Sequence, residues 1–203
     1  MTDTTSTGGA VSWKEKLRGS FDLIFMFGRG IAPFEKDNSK AAALQSLWIP
    51  ALFFPLSFYF AYTWPPEGLD HQPMRTVMII NGASYIIGFV AGLGLLWVAA
   101  MAFNRRDRFW LTFQAGNWIG IPLSLVSLPF FILAVAGWYP RAQMDHVFTV
   151  ITYYGVFVNA CVFFRGLKID WAFGGFLACL GVFIGQQVWN LLFWLNDVPI
   201  KWY

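Results

Sequence analysis

Five stretches of this chain, residues 41–66, 76–104, 109–140, 146–164 and 171–196, contain no aspartate, glutamate, lysine or arginine, and almost every formal charge falls between them. A helix needs roughly 20 apolar residues to cross the hydrocarbon core of a bilayer, and each stretch meets or approaches that length. Lipid cannot satisfy stray backbone N–H and C=O groups, so such runs predict transmembrane helices. We place the spans at about 43–64, 76–103, 110–138, 147–164 and 171–195. A transmembrane β-barrel would instead alternate apolar and polar residues in ~10-residue segments. Paired apolar residues such as Phe53-Phe54 and Ile79-Ile80 break that alternation.

Ahead of the first span, Trp13, Leu17, Phe21 and Ile24 recur at helical spacing and share one face, with Lys14 and Arg18 beside it. The stretch Trp13–Phe27 is therefore expected to form an amphipathic helix in the membrane interface, within a cytoplasmic interfacial segment 13–40, its bases toward anionic headgroups or a partner. Residues 1–12 are polar and read as a disordered tail without the order of a signal peptide, so no cleavage is expected. The five-helix domain occupies 41–203. The fold class is all-α, a polytopic integral membrane protein.

Composition agrees with this division. Only 12% of the 203 residues are charged, against about 25% in soluble domains, too few to coat a water-facing globule. The distribution of bases also orients the chain. Eleven (Lys14, Lys16, Arg18, Arg29, Lys36, Lys40, Arg105, Arg106, Arg108, Arg165 and Lys168) fall on the side of the N-terminal segment, and three (Arg75, Arg141 and Lys201) on the other. Basic residues favour the cytoplasmic side of short loops, so we expect the N-terminus inside and the C-terminus outside, in a bacterial inner membrane. Trp48, Trp64, Trp110, Trp138, Trp171 and Trp194 sit near the predicted span ends, where aromatic anchors belong.

Helices in lipid approach closely through small residues. Spacing of four singles out Ser84, Gly88 and Gly92 in the second span, Gly116, Gly120 and Ser124 in the third, and Gly174, Ala178, Gly181 and Gly185 in the fifth. These three spans are expected to pack together, with the fourth more peripheral. Pro50, Pro55, Pro122 and Pro129 are expected to kink the first and third spans. The loops after those spans both read Pro-x4-Asp-His, at Asp70-His71 and Asp145-His146, which suggests two related hairpins with the fifth helix added.

The candidate chemistry is sparse. Asp70, His71, Asp145 and His146 could hold a divalent metal if their loops meet; otherwise each Asp reads as a helix N-cap. No histidine lies where two spans could grip a haem, and no charged residue marks an ion path. Amides remain within the spans: Gln45, Asn81, Asn117, Asn159, Gln186, Gln187 and Asn190. Of these, Asn117, Asn159, Gln186 and Asn190 could line a polar path for a neutral solute or lipid. Interhelical hydrogen bonding, worth about 0.6 kcal/mol each, is the plainer role. Cys161 and Cys179 read as packing residues. Soluble catalytic signatures are absent, and nothing suggests a nucleic-acid surface or a cofactor.

The run Phe27-Gly-Arg-Gly-Ile-Ala-Pro-Phe34 leading into Ala43-Leu-Gln-Ser-Leu-Trp-Ile-Pro50, followed by five spans and short loops, resembles the bacterial branch of the Yip1-type membrane family. The acidic-Leu-Tyr-Gly-Pro signature of its eukaryotic members is missing. The resemblance implies a five-helix fold and a role in membrane organisation or protein interaction, and it assigns no catalytic residue. Together these features predict a non-enzymatic scaffold, assembly factor or accessory subunit, with membrane lipids and a membrane-protein partner or second copy as its contacts. A small transporter or channel for a neutral solute or lipid is the alternative.

Overall fold

A computed structural model describes residues 11–65, 69 and 71–198. The described residues are helical with no strand, and five segments are long and apolar enough to cross a membrane: Lys40–Thr63, Met74–Ala102, Arg106–Val135, Arg141–Leu167 and Trp171–Leu195. The tail expected at residues 1–12 lies outside the described residues except for Val11 and Ser12.

The N-terminal segment is a hairpin: the helix expected over 13–27 forms, and a second short helix returns along it. Helix α1 (Trp13–Ile24) starts at a capping box: Ser12 accepts from the Glu15 N–H, and the Glu15 carboxylate accepts from the Ser12 N–H. The chain turns at Met26, whose φ of 61° closes the helix in the left-handed region. It returns through a 3-10 turn (Gly28–Ile31) into α2 (Ala32–Lys36), with Pro33 in the first turn, where no N–H is needed. Gly19 and Gly30 bring the two limbs into backbone contact. A Cβ on Gly30 would sit 2.6 Å from the Gly19 carbonyl oxygen and 2.7 Å from the Leu23 nitrogen, so neither limb has room for a side chain there.

This hairpin corrects the expected apolar face. Trp13 is 61% exposed, while Lys16, Gly19, Ser20 and Leu23 are buried alongside Ile24. The stripe is rotated because α1 is covered on two sides, by its own return limb and by the bundle. Leu17 and Phe21 pack at the margin of the same core. Sequence periodicity reports one apolar face and is blind to a second one supplied by backbone contact.

The first span is also broken. Helix α3 (Lys40–Gln45), capped by Ser39, gives way at Ser46 and Leu47 to α4 (Trp48–Thr63). Pro50 has no N–H to offer the Ser46 carbonyl, which instead accepts a tighter 3-10 bond from Ile49 at 3.1 Å. Pro50 thus sits in the first turn of α4, at the middle of the span Lys40–Thr63; Pro55, Pro122 and Pro129 are inside helices. Helix α5 (Met74–Ala102) begins after Pro73. Helix α6 (Phe109–Val135) follows a 3-10 turn at Arg106–Arg108. Helix α7 (Arg141–Leu167) begins after Pro140 and ends at Lys168 in the left-handed region, and α8 (Trp171–Leu195) completes the bundle.

The five long helices form a ring in the order α4, α5, α8, α7, α6 and back to α4. One end of the ring carries Arg105, Arg106, Arg108, Arg165 and Lys168 and is called the basic end below. The other carries the turns after α4 and α6. The fourth span is not peripheral: α7 packs on both α6 and α8, and α7 with α8 is the most extensive pair. The fifth-span seam is real where it meets α7, since a Cβ on Gly174 would lie 2.8 Å from the Ala160 carbonyl oxygen. Ala178 is buried and Gly181 approaches Leu95 of α5. The other expected seams do not form. Gly88, Gly92, Gly116 and Gly185 would meet nothing within 4 Å, Gly120 only brushes Ile49 and Phe53 of α4, and Ser84 bonds to Asn81 of its own helix. Spacing of four places small residues on one face but does not say whether a neighbour covers it.

Candidate functional site

Two regions concentrate the polar and aromatic side chains. At the basic end, the hairpin is fastened to the ring by groups from four segments. Arg108, at the start of α6, donates through Nη2 to the Glu35 carboxylate of α2 at 2.7 Å and through Nε to the Gly166 carbonyl. That second bond satisfies one of the last, otherwise unpaired carbonyls of α7. Lys168 reaches the same Glu35 oxygen at 3.5 Å. Asn38 donates to the Asp107 carbonyl, and Lys16 pairs with Asp37 at 2.6 Å in a largely buried contact. Deeper, the Tyr154 hydroxyl of α7 donates to the Ile24 carbonyl at 2.6 Å.

Between these polar ties, Leu23, Ile24, Ile31 and Phe34 pack on Leu111, Ala115, Trp118 and Ile119 of α6 and on Val158, Cys161 and Val162 of α7. Leu111 to Ile119 covers about 12 Å of helix at 1.5 Å per residue, so the hairpin covers a long side of two spans. Its turn stays uncovered: Phe25 is 61% exposed and Phe27 51%. Arg29 pairs with Asp22 and stacks on Phe27.

The Arg108 hydrogen bond, with Lys168 adding to it, holds the Glu35 carboxyl below its ordinary value of 4.5. A depressed carboxylate stabilises the folded state fully above the ordinary value, and that contribution is lost as pH falls through the lower folded value. Acidification below about 4.5 is therefore expected to loosen the hairpin. Limited proteolysis of the N-terminal segment across about pH 3–7, compared between the native chain and Glu35→Gln, checks it. The variant should show the loosened pattern already at neutral pH and less change on acidification; identical profiles would remove Glu35 from this role.

The second region is at the far end. A groove of about 540 Å³ lies there, lined by residues of α4, α5 and α6. Its walls are apolar and aromatic, with Phe60 and Phe131 at 4.1 Å between ring centroids. Its floor holds Ser57, Asn81, Tyr85 and Ser124. Asn81 donates to Ser57 at 3.3 Å, Ser57 donates to the Phe54 carbonyl, and the Tyr85 hydroxyl donates to the Pro50 carbonyl at 2.7 Å. At the same end Arg141 stacks on Trp64 and donates to the Pro65 carbonyl, Trp64 meets Phe148 edge-on, and Phe148 packs on Phe60 and Phe131 of the groove wall.

The polar path expected from Asn117, Asn159, Gln186 and Asn190 does not assemble. Asn117 donates to Ser46 at the break in the first span, Asn159 turns back to Gly155 of its own helix, and Gln186 pairs with Asn190 one turn along α8. Gln186 and Gln187 are exposed on the outside of the ring. The amides are spread over separate helix faces because each found a local partner.

Among the described residues no three His, Cys, Asp or Glu side chains converge, so the site that Asp70, His71, Asp145 and His146 could have formed is not assembled there. Asp70 lies outside those residues. Asp145 and His146 are inside α7, whose N-cap is Pro140, so Asp145 is not a cap; α5 is likewise capped by Pro73 with no side-chain bond. Asp145 instead accepts from the Trp64 indole N–H at 3.4 Å and lies 4.0 Å from Arg141.

Two polar features were missed in the sequence. Ser57 and Tyr85 line the groove only through the way α4, α5 and α6 come together. Gln114 is 0% exposed, and neither its Nε2 nor its Oε1 has a hydrogen-bond partner. It lies in the same charge-free stretch as Asn117, so the signal was present. Searches of protein-family models, curated proteins and solved structures found nothing that matches this chain.

Proposed function

We propose that this chain is a non-enzymatic, five-span protein of the bacterial inner membrane that works as a scaffold, assembly factor or accessory subunit. In this reading the basic end is cytoplasmic, the N-terminus inside and the C-terminus outside, as the excess of bases at that end favours. The exposed belt of Leu52, Ile86, Val90, Leu125 and Phe183 faces the acyl chains.

The observation that carries the proposal is the hairpin. Its inward side is fixed by buried contacts and ion pairs, while its outward side presents Trp13, Phe25, Met26 and Phe27 next to Lys14, Arg18 and Arg29. Large apolar side chains displayed on a braced support form a surface ready for contact with little ordering cost. At the cytoplasmic interface it meets the flank of a partner membrane protein, with its bases toward anionic headgroups. The weak Yip1-type resemblance points to the same kind of role. The transporter alternative is less favoured because the four amides of the candidate path are already engaged, Asn117 with Ser46, Asn159 with its own helix and Gln186 with Asn190.

The test is in-membrane photocross-linking. A photoreactive phenylalanine analogue at Phe27 is expected to give a discrete protein adduct, identified by mass spectrometry, and Phe25→Ser should reduce its yield several-fold. Adducts with lipid alone would overturn the partner reading and leave the hairpin as an anchor.

A further inference from the structure

The groove between α4 and α6 has hydrogen-bonding groups that the chain itself does not fill. Asn81 is 9% exposed and among the described residues makes one side-chain hydrogen bond, to Ser57, which leaves its Oδ1 and second N–H unfilled by them. The Ser124 hydroxyl makes none among the described residues. Both line the same groove, where no charged residue is found. They are also deep. Asn81 lies seven residues into α5, about 10 Å, and Ser124 lies eleven residues before the end of α6, about 16 Å. Hydrocarbon offers an amide no partner at that depth, so an open amide oxygen is costly unless a ligand supplies the bond.

We propose that the groove binds an uncharged, lipid-soluble amphiphile carrying a hydroxyl group, the hydroxyl seated between Asn81 and Ser124 and the apolar body along Leu128 and Phe131. The unfilled atoms select this chemistry. Asn81 Oδ1 needs a donor and Ser124 can both give and accept, which one hydroxyl satisfies together. An ester or ketone only accepts and leaves Oδ1 open. An ionised headgroup would be buried with no countercharge. The apolar flank of a second copy fills neither atom. The proposal rests on the membrane-embedded reading and is independent of the hairpin's partner.

The test uses the full chain in detergent micelles and two probes that differ by one hydroxyl, methyl 12-hydroxyoctadecanoate and methyl octadecanoate, with binding read by native mass spectrometry. The hydroxylated probe is expected to bind about tenfold more tightly, the effect of one well-placed hydrogen bond. Asn81→Leu should bring the two probes to equal affinity, and Leu128→Trp should weaken both by filling the groove. Equal affinity for the native chain, or a preference that survives in Asn81→Leu, would overturn the proposal. So would disulfide-linked dimers of Leu128→Cys that exclude both probes, since a second copy would then be the occupant. If Asn81→Leu does not fold, Ser124→Ala, expected to reduce the preference, decides with Leu128→Trp. Recovery of the chain in the membrane fraction checks the embedding separately, so the two failures are distinguishable.

Discussion

Replacing Gly174 by leucine is expected to destabilise the bundle by about 3 kcal/mol, the upper range for forcing volume into a packed site. Gly174 is a point of close approach between α8 and α7. A Cβ there would lie 2.8 Å from the Ala160 carbonyl oxygen, 3.1 Å from the Phe164 nitrogen and 3.2 Å from its Cβ. Two of those three atoms belong to the backbone, which no rotamer change can move aside. The helices must separate, and the separation reaches Ala178 and Leu177, which are buried further along the same helix. Gly175 supplies the control. It is the next residue on α8, and an added Cβ there would meet nothing within 4 Å. Gly175→Leu changes helix propensity and hydropathy in the same way but adds no clash. Thermal unfolding in detergent, followed by tryptophan fluorescence, should show a large loss for the first variant and little change for the second. Equal losses would mean that glycine flexibility, and not the close approach, is what α8 needs.

The contrast between Gly174 and Gly175 also marks what could be read from sequence. Charge-free runs located all five long helices, because an unpaired charge in an apolar span is expensive and its absence is visible residue by residue. Helix ends were less legible. Arg141, Asp145 and His146 belong to α7 although their polarity suggested a loop, because Pro140 starts the helix and the first turn of a long helix can stand outside the apolar zone. Packing was the least legible. A small-residue seam is a face without a neighbour until the ring order is known, so Gly88 and Gly92 looked the same as Gly174. The candidate sites follow this rule. The groove depends on how α4, α5 and α6 come together, and the hairpin depends on Gly19 meeting Gly30. Neither is a local property of the chain, whereas the bases at the basic end are, and they were legible.

Gln114→Met is expected to raise stability, by about 2 kcal/mol. Methionine has nearly the shape of glutamine, so the change removes the amide and leaves the packing. The amide is fully buried on the first half of α6, with neither polar atom hydrogen-bonded, while its neighbours Leu111, Ala115 and Trp118 belong to the apolar core under the hairpin. A buried polar atom left without a partner costs about 1–3 kcal/mol. Two such atoms would suggest more than 2 kcal/mol, but the reference state reduces the gain. A helix separated in lipid can still turn a glutamine toward its own carbonyls, which is why amide bonds in membranes are worth less than their burial implies. The measurement is the unfolding midpoint in detergent, with Asn117→Leu as its counterpart. Asn117 donates to Ser46 at 2.8 Å, so its removal deletes a formed bond and is expected to destabilise modestly. Opposite signs for the two amides would separate an unfilled group from a filled one. If Gln114→Met destabilises instead, the amide has a partner that the chain does not supply, and a buried water bridging it to a neighbouring carbonyl becomes the physical explanation.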